Sequence, residues 1–444
     1  MRYVSAADSF SVLLTAIISI SIGIAQDRLS AATCPCDIYA AGGTPCVAAH
    51  STVRALYSTY NGPLYQVRRT SDNKTLDIGT LTSGGIVNAT AQDTFLNGKQ
   101  GTISKIYDQS PRGNHLPVTP PGGWLSSGGR ESNATAAKIT INGHTAYGVY
   151  INYGNGYRNN TTSGVATGDQ PEGMYMVCSG RNYDDSCCFD YGNAETNSLA
   201  GANGTMEAIY FGNCHFWGVG SGTGPWVMAD LENGLFAGQS FAAPPTNISL
   251  NFDYVTTIVK GNSGNYFAIR GGSAQSGSLT TMYAGARPST YNPMQKQGAI
   301  VLGTGGDNSW TDRGTFFEGC MTTGYPPDTT ENAVQANIVA AGYGKTTSTL
   351  YEARSAIGAS MFKVHYNPSS GNAVISYTLQ DARRVSMNIV DQRGRWIASI
   401  ANGVMAAGRH EAVWDAKRIP AGVYIWRIAI DGLEGWTGKI VIGK

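Results

Sequence analysis

Hydrophobic positions in this chain fall mostly in short runs cut by Gly, Asn, Pro and Ser. Runs at 102–107, 137–143, 146–152, 254–260, 265–270, 298–303 and 314–322 read as strands. Clusters such as Pro120-Pro121-Gly122-Gly123 read as the turns between them. Helical spacing appears twice. Ala49, Val53, Leu56 and Tyr60 share one face and predict a helix over 47–60. Val334, Ile338 and Ala341 predict a second over 329–341, with Asp328 as N-cap and Glu331 at capping-box spacing. Many short strands joined by decorated loops predict an all-β chain built on a β-sandwich.

The pattern changes near residue 345. Lys345-Thr346-Thr347-Ser348-Thr349 is polar and featureless and predicts a linker over 345–360. Beyond it, 361–444 alternates cleanly, as at Val385, Met387 and Ile389, and has the size of a small immunoglobulin-like β-sandwich. The chain therefore divides into a large unit over 34–344 and a small C-terminal one.

Composition sharpens this picture. The 57 glycines and 24 tyrosines among 444 residues suit a turn-dense β protein with aromatic surfaces. Net charge is +1 and no basic run occurs, so nucleic acid is not an expected partner. Arg2 followed by the apolar Val12–Ala25 stretch predicts an export signal over 1–25, cleaved before Gln26. No other stretch suits a membrane span, so none is expected after cleavage. Export permits disulfides among the 8 cysteines. Cys34-Pro35-Cys36 lacks the second Cys or His pair of a zinc site, and neither metal nor cofactor is expected.

Three segments carry candidate chemistry. Adjacent Cys187 and Cys188 either close on each other, giving a flat apolar sulfur face, or pair elsewhere. On a strand through Val227–Leu231, Asp230 and Glu232 would point to one face, where two acids repel unless something uses them. Gly305-Gly306-Asp307-Asn308 places an Asp after glycines at a strand end, where a ligand can approach closely. A carboxylate pair beside Tyr and Trp faces suggests glycoside cleavage, which needs a proton donor and a nucleophile or base. No Gly-x-Ser-x-Gly elbow supports a serine hydrolase, and His50 and His215 read as structural.

These segments resemble the family 54 α-L-arabinofuranosidases. The resemblance rests on Cys36-Asp37-Ile38-Tyr39, Thr44–Thr52, Ile106–Ser110, Gly113–Leu116, Cys187–Thr196, Met206–Tyr210, Asp230–Phe236, Gly305–Asn308 and Glu331–Gln335. It implies a β-sandwich that removes terminal α-L-arabinofuranosyl groups from arabinoxylan or arabinan by a retaining double displacement. By motif position it implies Glu232 as nucleophile and Asp307 as general acid/base. Asp230, Asn233 and Gly306 would hold the sugar hydroxyls, with Trp217 and a Cys187–Cys188 ring as walls. It also implies a Cys36–Cys46 disulfide and leaves Cys34, Cys178, Cys214 and Cys320 unpaired in the scheme. The C-terminal residues, including Ile419–Tyr424 and Lys439–Lys444, resemble bacterial type IX sorting domains, which implies a secretion machinery as partner and delivery to the cell surface or medium. Two other readings compete: a non-catalytic arabinose-binding surface protein, and a glycosidase of β-xylosidase type.

Overall fold

The computed structural model describes residues 34–345 and 363–443, apart from 242–243, 380–381, 393–394 and 431–432. The expected signal over 1–25 and most of the linker lie outside the described residues. Within 34–345 two antiparallel sheets dominate. One has eight strands, in the order Thr280–Gly285, Tyr266–Ser273, Tyr254–Asn262, Glu172–Ser179, Gly314–Thr323, His144–Ile151 and Ala137–Ile141, with Cys46–Ser51 also pairing Gly314–Thr323. The other has six: Leu235–Phe236, Trp226–Asp230, Glu207–Gly212, Asp190–Ala194, Ala299–Leu302 and Tyr157–Asn159.

The two sheets face each other across one apolar core. Met174, Met176, Val259 and Phe316 from the first meet Tyr191, Ile209, Val227 and Leu302 from the second. Two glycines let the layers approach. A Cβ on Gly192 would sit 2.6 Å from the Met174 sulfur, and one on Gly319 would sit 2.7 Å from the Tyr191 ring. The chain is all-β in the sense expected, a sandwich with three short helices among the described residues.

The 47–60 helix is not formed. Cys46–Ser51 is a strand buried on both faces, and its near-continuous apolar run is what a central strand shows. Ser51 then ends it, its hydroxyl accepting the Val53 and Arg54 N–H groups at 3.1 Å. The helical spacing of Ala49, Val53 and Leu56 arises because all three are core residues of a strand and turn.

The second helix, Asp328–Ala340, matches its expected position but not its expected cap. Pro327 is the N-cap, with no side-chain capping bond. Asp328 instead bonds the Lys260 ammonium at 2.6 Å, and Glu331 takes Arg270 at 2.6 Å. Buried cations competed successfully for the two carboxylates. Arg54 is likewise sequestered against Glu318 at 2.6 Å, with the Tyr343 hydroxyl donating to the same carboxylate at 2.9 Å.

The C-terminal unit is a two-sheet sandwich. Three strands, Lys363–Asn367, Asn372–Leu379 and Gly408–Asp415, form one sheet; Trp396–Met405, Arg383–Asp391, Gly422–Ile430 and Leu433–Ile442 form the other. Ile375, Val385, Met387, Ile389, Trp414 and Ile428 fill its core. The inward alternation read at Val385, Met387 and Ile389 is the buried face of one strand.

Candidate active site

The strand Trp226–Asp230 ends at Asp230, and Leu231–Gly234 turns back into Leu235–Phe236, with Asp230 opposite Leu235. Glu232 and Asn233 adopt left-handed backbone conformations, φ 66° and 54°. A non-glycine residue there costs of order 1–3 kcal/mol and needs surroundings that enforce it. The surroundings are visible. The Glu232 N–H donates to an Asp230 carboxylate oxygen at 3.0 Å, and the Tyr291 hydroxyl donates to the Glu232 carbonyl at 2.8 Å. The Asn233 amide donates to the Gly201 carbonyl at 3.1 Å. Asp230 and Glu232 therefore do not share the face of a pleated strand, as their spacing suggested. A tight turn throws Glu232 forward.

Facing this turn is the loop after Ala299–Leu302. Gly303 turns the chain with φ 69°, and Gly305-Gly306-Asp307 follows. Asp307 accepts the Ser309 N–H at 2.9 Å. A Cβ on Gly306 would lie 2.0 Å from a Glu195 carboxylate oxygen, so only glycine fits. Cys187 and Cys188 are joined to each other, and Cys36 to Cys46. Cys188 packs with Cys214, Trp226, Met228 and Leu235 beneath the hairpin.

These elements enclose one cavity of about 910 Å³. Its lining includes Cys187, Cys188, Trp217, Asp230, Glu232, Asn233, Gly306 and Asp307, so all eight residues singled out in the sequence meet in one place. Trp217 is half exposed at the rim. His215 lies on the surface beside Phe216, and His50 is buried between the Tyr191 hydroxyl and the Asn114 carbonyl, away from this chemistry.

Four further residues shape the site and were not read from the sequence. Glu195 is fully buried, accepts the Thr205 hydroxyl, and stands close behind the Glu232 carboxyl. Asp190, also fully buried, lies close to the Asp230 carboxyl. Arg158 is a buried guanidinium reaching the Gly306 carbonyl at 2.8 Å, the Asn308 side chain at 2.9 Å and the Glu195 carbonyl. Trp124 stands on the rim. Glu195 and Asp190 lie within the Cys187–Thr196 segment, whose density of acids was the available signal.

The electrostatics follow from crowding acids out of water. Burial, then the neighbouring Glu195 and Asp230, push the Glu232 carboxyl up to about 9. Burial raises Asp230 to about 7, opposed first by the hydrogen bond from the Glu232 N–H. Asp190 is raised well above the carboxylate range, by burial first and then by Asp230. Burial lowers Arg158 to about 10, while the surrounding carboxylates favour its charge. The Cys187 and Cys188 sulfurs lie within 4.8 Å of an Asp230 carboxylate oxygen, but disulfide sulfurs carry no thiolate charge to offer a metal. The arrangement supplies two reactive carboxyls, a shielded acid pair and an apolar wall around one ring-sized slot.

Comparison with known proteins agrees with this geometry. Residues 35–344 match the family model "Alpha-L-arabinofuranosidase B, catalytic", and 363–443 match "Secretion system C-terminal sorting domain". A probable alpha-L-arabinofuranosidase B of Aspergillus fumigatus is 60% identical over 321 residues, 71% of this chain and 63% of that relative. An arabinofuranosidase/B-xylosidase of Trichoderma koningii is 60% identical over 315 residues, 70% of this chain and 63% of its own length. The chain thus spans somewhat under two thirds of these relatives. A crystal structure of an arabinofuranosidase complexed with arabinofuranosyl-alpha-1,2-xylobiose is 48% identical, with a TM-score of 0.69, covering 82% of this chain and 72% of that one.

Proposed function

The chain belongs to the alpha-L-arabinofuranosidase B catalytic family, and on that premise we propose that it is an exo-acting, retaining α-L-arabinofuranosidase. Its substrates are arabinoxylan and arabinan, from which it removes terminal α-L-arabinofuranosyl side chains. Glu232 attacks the anomeric carbon as Asp307 gives its proton to the departing oxygen. A covalent arabinosyl–Glu232 ester forms. Asp307 then takes a proton from water, which attacks the same carbon and frees the sugar with its configuration kept. Asp230, Asn233 and the backbone of Gly306 hold the hydroxyls, and the Cys187–Cys188 sulfurs and Trp217 form the apolar wall against the ring.

One observation carries the reading. A strained left-handed turn lifts Glu232 into the cavity that Asp307 also lines, beside the sulfur and indole surfaces. The test is hydrolysis of an aryl α-L-arabinofuranoside with the product anomer followed by NMR. The first product should be the α anomer, and Glu232→Gln should lose roughly four orders of magnitude or more in rate while folding normally. A β first product, or near-normal turnover by that variant, rejects the mechanism.

A second reading has one specific support, the name of the Trichoderma relative, which includes B-xylosidase. Paired assays on aryl α-L-arabinofuranoside and aryl β-D-xyloside decide whether this slot accepts both sugars.

The match of 363–443 to a sorting domain supports export. The sequence over 1–25 fits a cleaved signal, and the C-terminal unit would then hand a bacterial enzyme to a secretion machinery for release or surface display.

A further inference from the structure

Trp124 is the most exposed tryptophan at the cavity rim, 74% accessible, on a surface where a bare indole needs a reason. It is not there by slack. The Trp124 backbone N–H donates to the Asp307 carbonyl at 3.0 Å. The Asn308 side-chain amide donates to the Gly122 carbonyl at 3.1 Å and the Pro120 carbonyl at 3.3 Å. Gly123 has φ 49°, and a Cβ there would strike the Asp307 carbonyl oxygen. The 120–125 loop and the Asp307 loop are therefore one bonded unit, and the indole rides on the backbone of the proton donor.

Position then assigns chemistry. A proton donor stands on the side of the bond where the leaving oxygen departs. The arabinose side is occupied by Cys187, Cys188, Trp217 and Asn233, so what stands beside Asp307 faces the group that leaves. We propose that Trp124 is the platform for the leaving sugar, a pyranose residue of the polysaccharide backbone that carries the arabinose. A chair pyranose presents a flat face of C–H bonds, which suits an indole plane; a puckered furanose suits it less. The proposal rests on the assignment of Asp307 as proton donor.

The experiment compares kcat/KM of the full chain and its Trp124→Ala and Trp124→Tyr variants on two substrates. One is arabinofuranosylated xylobiose, which has a pyranose leaving group. The other is methyl α-L-arabinofuranoside, which has none. Trp124→Ala should lower the ratio of the two values about tenfold, mostly through KM on the xylobiose substrate, and Trp124→Tyr should restore most of it. Equal losses on both substrates would show that Trp124 only supports the Asp307 loop and would overturn the proposal. No change on either substrate overturns it too, because the ring is then out of reach. In a parallel measurement on α-1,5-arabinobiose, a larger loss than on the xylobiose substrate would reject the pyranose. If the wild-type chain hydrolyses neither sugar bond, the reading of the whole site fails, and this proposal with it.

Discussion

The Glu195 carboxyl stands close behind that of Glu232, with Glu195 sealed from water and Glu232 lining the cavity. Two acids this close repel as anions, which favours the protonated form of Glu232. Thr205 gives Glu195 a donor, and the Gly201 N–H gives Glu232 one at 3.1 Å.

This pair sets the acid side of the pH profile. As the proposed nucleophile, Glu232 must react as the anion, and its carboxyl is raised to about 9 in the unliganded site. Activity should therefore rise with pH through a range above that of an ordinary carboxylate. Glu195→Gln removes a neighbouring negative charge, so the Glu232 pKa falls and the acid limb of kcat/KM moves to lower pH. The plateau rate should drop roughly ten- to a hundredfold, because the amide holds Glu232 less well. A slower enzyme with an unmoved limb would mean that Glu195 is only structural.

Asp307→Asn separates leaving groups. An aryl leaving group of low basicity departs without much protonation, whereas a sugar alkoxide does not. The variant should lose roughly 10²–10⁴-fold on arabinoxylan oligosaccharides and far less on a dinitrophenyl arabinofuranoside. Equal losses on both substrates would give Asp307 a different role.

Gly306→Ala tests the packing of the acid cluster. The added methyl meets Glu195 at 2.0 Å and the Met206 sulfur at 2.9 Å. Overpacking of this kind costs about 1–3 kcal/mol, and the displaced Glu195 should take Glu232 with it. We expect a lower melting temperature together with a loss of kcat. Retention of both would mean that the 305–307 loop has room to move.

Arg54→Met tests a buried charge far from the chemistry. It strands Glu318, now held by Arg54 and two tyrosine hydroxyls, without its cation. The cost should be about 3–5 kcal/mol in urea unfolding. Pairing the change with Glu318→Leu should recover much of it, because the ion pair would then be gone rather than broken.

Local pattern was enough for the sandwich strands. Runs such as 254–260 and 314–322 became the central strands Tyr254–Asn262 and Gly314–Thr323, because burial on a sheet demands those residues whatever the surroundings. The motifs around Cys187, Asp230 and Asp307 were legible for the same reason: rare residue types at fixed spacing leave a mark in one dimension.

What the chain could not show by itself depends on distance in space. The apolar period at 47–60 was real, but Cys46–Ser51 pairs with a strand more than 250 residues away, and that pairing overrode the helical pattern. The capping box at Asp328 lost its acids to Lys260 and Arg270. Glu232 reaches the cavity through a left-handed turn that the Asp230–Leu235 hairpin enforces, where a strand reading had placed it beside Asp230. Sequence thus singled out the residues proposed to react, since that is a matter of side-chain chemistry. Tertiary structure decided their acidic neighbours, Glu195 and Asp190, because acids that the chain keeps dozens of residues apart raise one another only when pressed together out of water.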